Sequence, residues 1–216
     1  MEIFQNFVSI LNQGGFSMYL LVLASFIAIA LIAERIYNFN RLYLNPEKLF
    51  QEITPLIKNQ EYEQAREILH KENKPIARIY LAGLQRRGYN PDIMENSILN
   101  TINEELAHFE KNINILGTIS VISPFLGLLG TILGMIKAFA DIAAEGTTGP
   151  AVIATGVYEA LYTTAAGLII AIVTVIFYNY FQTRIIQITR EFEIYANKTV
   201  EILKEKINND KNLPKK

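Results

Sequence analysis

From Gly146 to Thr183 the chain reads GTTGPAVIATGVYEALYTTAAGLIIAIVTVIFYNYFQT, 38 residues with a single charged side chain, Glu159. A bilayer-spanning helix needs roughly 20 mostly apolar residues, so this stretch is long enough to cross a membrane and to carry an acid into it. Working outward, Asn112 to Ile136 is a second stretch, 25 residues without a charge, and Phe16 to Ala33 is a third of 18 residues, at the short end of the spanning range. With 216 residues, 50% hydrophobic, 19% charged and a net charge of −1, the chain reads as an all-α integral membrane protein with three transmembrane helices. The near-neutral charge excludes the strongly basic surface of a nucleic-acid binder. The absence of Cys removes disulfides, thiolate catalysis and zinc-thiolate sites.

The first apolar stretch contains Ala28-Ile29-Ala30, but Met1 to Ala33 carries no Lys or Arg and Glu34-Arg35 follow at once. A cleaved signal needs a positive leading region, so a retained helix is expected. Lys and Arg number none in Met1 to Gly15, ten in Tyr37 to Lys111, none in Asp141 to Gly149 and eight after Thr183. Positive loops stay in the cytoplasm. Arg35, Arg41, Lys111, Arg184 and Arg190, close to the spans, agree. The expected layout is an outer segment 1–15, span 16–36, cytoplasmic helical loop 37–112, span 113–140, outer loop 141–149, span 150–182, and a cytoplasmic C-terminal helix with a disordered tail over 183–216, disorder beginning near Asn208.

In the loop, Pro46, Pro55, Pro75 and Pro91 punctuate helices, and Asn90-Pro91 offers a capping Asn before Pro at the first helical position. Ile98, Ile102, Leu106 and Phe109 recur at helical spacing, predicting one long helix from Asp92 to Ile136 that enters the membrane. Ile185, Ile188, Phe192, Tyr195, Thr199 and Ile202 form a coiled-coil-like seam, set to pack either on this chain's own cytoplasmic helices or on another subunit. His70 and His108 are far apart and read as solvated helix faces, with no metal site. Glu61, Glu63, Arg66, Glu67 and Lys71 read as a charged face, and Glu105 as an ordinary cytoplasmic carboxylate.

The second span holds Gly127, Gly130 and Gly134 at spacings of three and four, small residues that let helix backbones approach closely in lipid. The third begins at Pro150, which places Glu159 roughly 13 Å along the helix. A carboxylate near the bilayer centre costs about 2.5–3.5 kcal/mol on insertion scales and therefore faces a bundle interior or water. At roughly 100° per residue, Glu159, Ala160, Thr163, Thr164, Gly167, Ala171 and Thr174 share one face, with Leu161, Leu168, Ile169, Ile172 and Ile176 opposite. Thr131 falls at a depth similar to that of Glu159. A carboxylate among hydroxyls on close-packed helices suits proton transfer and not passage of a large solute. The alternative is a protonated Glu kept as interhelical glue.

The stretch PFLGLLGTILGMIKAF from Pro124, the stretch GVYEALYTTAAGL from Gly156 and the closing Phe177-Tyr178-Asn179 resemble the MotA/TolQ/ExbB proton-channel family. The resemblance covers about Ser123 to Phe181, and the three-span layout is similar to the ExbB/TolQ branch. It implies a proton path through Thr131, Glu159 and Thr164, with Thr163 beside them. It also implies a pentamer of this chain, a helical bundle around a central pore, enclosing a dimer of a single-span ExbD/TolR-like partner. A TonB/TolA-like protein would stand beyond it. Three departures stand out. Ala154-Thr155-Gly156 and Ala171-Ile172-Val173 lack prolines common in relatives, so a straighter third helix is expected. Lys137 stands where His or Asn is common, either snorkelling outward or pairing with Asp141 at i+4.

The resulting expectation is a proton-conducting inner-membrane subunit that couples the proton-motive force to work on the periplasm or outer membrane. It needs no cofactor and is not an enzyme. A structural oligomeric scaffold and a signalling subunit are the rivals, and both leave the Glu and Thr face unexplained.

Overall fold

The computed structural model describes residues 15–145 and 150–212; the side chains of 144–145, 150–156, 159 and 206–212 lie outside the described set. The regular elements among the described residues are all helices, joined by short turns, with no strand. In chain order the helices are α1 (Gly15–Leu42), α2 (Pro46–Lys58), α3 (Tyr62–Glu72), α4 (Pro75–Gln85), α5 (Pro91–Glu110), α6 (Ile113–Glu145) and α7 (Pro150–Asn212). Among them α1, α6 and α7 are long and apolar enough to cross a membrane.

The boundaries follow local chemistry. The Oδ1 of Asn45 accepts from Glu47 N–H at 2.9 Å and that of Asn90 from Asp92 N–H at 3.1 Å, each cap followed by Pro at the first helical position. The expected helix from Asp92 to Ile136 is not continuous. It breaks at Asn112, whose φ of 62° is left-handed; Asn is among the few residues that tolerate this. The Asn112 carbonyl then accepts from Ile115 N–H at 3.2 Å and starts α6. At the other end, α7 continues to Asn212, past the expected onset of disorder at Asn208, and residues 213–216 lie outside the description.

The chain divides into two units, Met1–Glu34 with Asn112–Phe181 and Arg35–Lys111 with Gln182–Lys216. In the first, the span unit, bulk points outward. Phe125, Ile136, Phe139 and Ile169 are 61–66% exposed, while Gly127, Gly130, Ala160, Thr163 and Gly167 are buried. An ideal Cβ on Gly127 would lie 2.8 Å from the Thr163 carbonyl oxygen and 2.9 Å from Thr164 Cα. On Gly167 it would meet the Ser123 carbonyl oxygen and, at 3.2 Å, Gly127 Cα. Close approach of α6 and α7 therefore requires glycine at both positions. For the described side chains the wheel drawn for α7 holds, with Ala160, Thr163, Ala171 and Thr174 buried, Thr164 half-buried, and Leu161, Leu168, Ile169, Ile172 and Ile176 exposed; Glu159 lies outside that set.

The second unit has an ordinary apolar core. Leu49, Ile53, Ile57, Leu69, Ile76 and Leu84 are all but inaccessible. Rings chain through it, Phe39 to Phe109 at 5.4 Å, Phe109 to Phe192 at 6.2 Å and Phe50 to Tyr195 at 5.6 Å. The Tyr80 hydroxyl donates to Pro46 O at 3.0 Å, and burial pushes its pKa up. The seam of α7 packs here on the chain's own helices. Its buried positions are Ile185, Ile188, Phe192, Ala196, Thr199, Val200 and Leu203, not the expected series through Tyr195 and Ile202. A straight helix has 3.6 residues per turn, so the face of Ile185 recurs about 10.8 residues on, at Ala196, and about 18 residues on, at Leu203.

Two charges in this unit differ from their expected roles. Arg35 is buried, and its Nη1 donates to His108 O at 3.2 Å, in the last turn of α5, where a cation complements the helix dipole. Glu105 is 7% exposed and takes a bidentate pair from Arg78, Nε at 2.5 Å and Nη2 at 2.6 Å. It is a structural carboxylate, and the Arg78 guanidinium is pushed further up by its hydrogen bonds to it.

Candidate functional site

The site grows out of the glycine-dependent contact between α6 and α7. Because Gly127 and Gly130 present no side chain, the helix backbones come close enough for hydroxyls on one to reach carbonyls on the other. Thr131 Oγ1 lies 3.3 Å from Gly127 O, on its own helix, and 3.2 Å from Ala160 O on α7. It also pairs with Thr164 Oγ1. Thr164 Oγ1 reaches Gly127 O at 3.2 Å. Thr163 Oγ1 reaches the same carbonyl at 3.2 Å and Ala160 O at 2.7 Å.

Each hydroxyl has one proton and can both donate and accept. Thr163, with its short bond to Ala160 O, is committed. Thr131 and Thr164 are not. Either Thr131 donates to Thr164 and Thr164 to Gly127 O, or Thr164 donates to Thr131 and Thr131 to Gly127 O or Ala160 O. The two arrangements differ only in proton positions.

Thr131, Thr163 and Thr164 are thus brought together, as the sequence suggested. Glu159 lies on α7 directly before Ala160, whose carbonyl Thr131 reaches, so its backbone stands at the level of the cluster; its side chain is outside the described set. Gly127, Gly130 and Gly167 lie in the contact itself, with Gly134 one turn further along α6. Lys137 is exposed, and among the described ion pairs none joins it to Asp141. His70 and His108 stand on different helices, and no cluster of three or more metal-binding side chains occurs among the described residues.

Two features of the span unit had no counterpart in the sequence reading. Tyr158 and Tyr162 on α7 hold their hydroxyls 2.5 Å apart with rings at 89°; an i, i+4 pair of tyrosines flanking an acid was the available signal. An open cavity of about 520 Å³ is lined by Asn114, Thr118 and Ser120 of α6 and by Tyr178 and Asn179 of α7. The Tyr178 ring packs where Gly117 leaves room, 2.9 Å from an ideal Cβ there. This gives the Phe177-Tyr178-Asn179 motif a packing role.

Comparison with known proteins agrees with this architecture. Residues 71–194 match the family model described as the MotA/TolQ/ExbB proton channel family. The Synechocystis protein named ExbB-like 3 is 30% identical over 191 residues, 88% of this chain and 90% of its own length. The Salmonella typhimurium biopolymer transport protein ExbB is 50% identical over 70 residues, 32% of this chain and 29% of that protein. The Pseudomonas aeruginosa Tol-Pal system protein TolQ is 32% identical over 127 residues, 57% and 55% of the two chains. The chain thus spans less than two thirds of the latter two. Three membrane-length helices, a family match over more than half the chain and full-length similarity to an ExbB-like protein lead to one conclusion: the chain belongs to the MotA/TolQ/ExbB proton channel family, in its ExbB/TolQ branch.

Proposed function

We propose that this chain is the proton-conducting subunit of an inner-membrane motor complex that couples the proton-motive force to work on the periplasm or outer membrane. The observation that carries the reading is the Thr131–Thr164 hydroxyl pair over the Gly127 and Ala160 carbonyls, at the level of Glu159. Glu159 takes up and releases the proton, and the hydroxyls relay it or hold water beside the carboxyl. Hydroxyls do not change charge at neutral pH, so their share is smaller than that of the acid. The N-terminus lies outside and the C-terminus in the cytoplasm, as the positive loops require.

The assembly in this reading is a pentamer enclosing an ExbD/TolR-like single-span dimer, acting on a TonB/TolA-like protein. Relatives named for biopolymer transport and for the Tol-Pal system support the coupling role. The exposed apolar faces of α6 and α7 support contacts beyond a single copy.

Proton flux into liposomes holding this chain and its partner tests the reading. Glu159→Gln should abolish flux, Thr131→Val should lower it several-fold and Thr131→Ser should retain most of it. The exposed neighbour Glu104→Gln is the control, because Glu105 is committed to Arg78. Equal flux from wild type and Glu159→Gln would favour a scaffold.

A further inference from the structure

In the second unit, the loop between α4 and α5 presents Arg86 and Tyr89 to solvent, with the Arg86 Cζ 5.3 Å from the centroid of the Tyr89 ring. Tyr89 is 54% exposed, and Ile93, 47% exposed, carries this knob into the first turn of α5. The adjacent Arg87 is used inside the unit, stacked over Tyr62 at 4.1 Å. A guanidinium held against a ring is ordered before any partner arrives. Arginine and tyrosine are also among the residues that most often carry the binding energy of protein contacts.

A groove of about 160 Å³ lies between α5 and α7 of the same unit. Its lining includes the buried Ile98, Ile102 and Val200 and, more open to solvent, Glu95, Leu99 and Glu193. Glu95 is paired with Lys204, and Glu193 is exposed at the rim. Small-molecule sites run to roughly 300–1,000 Å³. This groove is smaller and has room for one inserted side chain, with a carboxylate at its edge to meet a cation.

The two features stand on different flanks. At roughly 100° per residue, Ile93 lies about 140° round α5 from the midpoint of Glu95 and Leu99, and at about 1.5 Å per residue the three fall within about 9 Å along the axis. One chain therefore carries both halves of a complementary contact at the same end but facing different ways. Such halves meet between copies, head to tail, and a head-to-tail contact generates a ring when its rotation closes.

We infer that the Arg86–Tyr89 knob of one copy docks in the α5–α7 groove of the next, Tyr89 entering beside Leu99 and Arg86 meeting Glu193. The inference deepens the assembly reading above and rests on it.

The chain has no Cys, so introduced cysteines can be joined selectively. In the complex with its single-span partner, the Tyr89→Cys/Leu99→Cys double variant treated with a mild oxidant should give a covalent ladder rising above the dimer, because every copy offers both halves. The two single variants, co-expressed, should give dimers at most. Charge supplies the second arm. Arg86→Glu and Glu193→Arg should each lower the share of assembled rings several-fold in native mass spectrometry, and the double reversal should recover most of the loss. An intact ring that yields no ladder and ignores both single reversals would overturn this inference alone. Bands from the double-cysteine variant that stop at the dimer would make the contact two-fold and overturn it as well. A wild-type chain that stays monomeric would sink the assembly reading instead.

Discussion

Gly127 in the span unit and Gly83 in the second unit are both buried in helices against a second helix, yet what they face differs. A Cβ on Gly127 would run into backbone, the Thr163 carbonyl and Thr164 Cα, at 2.8 and 2.9 Å. A Cβ on Gly83 would meet the tip of the Ile98 side chain at 2.8 Å, with Leu203 further off at 3.8 Å. Backbone cannot yield; a methyl group at the end of an isoleucine can rotate away. Lipid supplies no hydrophobic drive between helices, so the span unit is held by backbone proximity and by the hydroxyl bonds that proximity permits. The other unit is held by excluding water from large side chains.

Gly130→Leu should break this comparison most forcefully. Its side chain would fall on Thr163, separate α6 from α7 and cost the assembled complex nearly all its proton flux, with native mass spectrometry in detergent reading the loss of assembly. Assembly equal to wild type would mean that the glycine contact does not organise the spans. Glu105→Gln attacks the other unit. It leaves Arg78 without its buried partner, a change of about 2 kcal/mol given that the arginine end is partly open to solvent. It should lower the thermal unfolding midpoint while leaving the pairing of α6 and α7 intact. The smallest and sharpest test pairs Gly127→Ala with Gly83→Ala. The first should cost about 1–3 kcal/mol through overpacking. The second should be near neutral, since Ala gains roughly 1 kcal/mol in helix propensity against the shift of Ile98. Equal effects on unfolding would erase the distinction.

Charge-free runs and small-residue spacing were legible because a membrane imposes length and a glycine contact imposes periodicity. The small residues of α7 that pack on α6, Ala160, Thr163 and Gly167, were therefore legible one by one. The break at Asn112 was not, because Lys111-Asn112-Ile113 contains neither Gly nor Pro and a left-handed Asn leaves no mark in composition. The slip of the seam from Tyr195 to Ala196 arose from judging position by apolar character, when the helix repeat decides which side chain turns inward and alanine fills the place. Glu105 was misjudged for a related reason: pairing with Arg78, 27 residues away, is a tertiary fact. Donor directions among Thr131, Thr163 and Thr164 depend on distances between two backbones, which spacing along one chain does not contain.

The over-subscribed Gly127 carbonyl, reached by Thr131, Thr163 and Thr164, has a consequence for the medium around Glu159. Dipoles with more than one acceptor within reach can reorient without moving a heavy atom, and reorientation is what gives a solvent its polarisability. Between helices otherwise faced with alkyl groups, this turn of the protein behaves as a pocket of raised permittivity. Dipoles that turn toward a charge reduce the Born penalty for placing one in hydrocarbon, and in the proposed conducting reading that is the depth at which Glu159 would ionise.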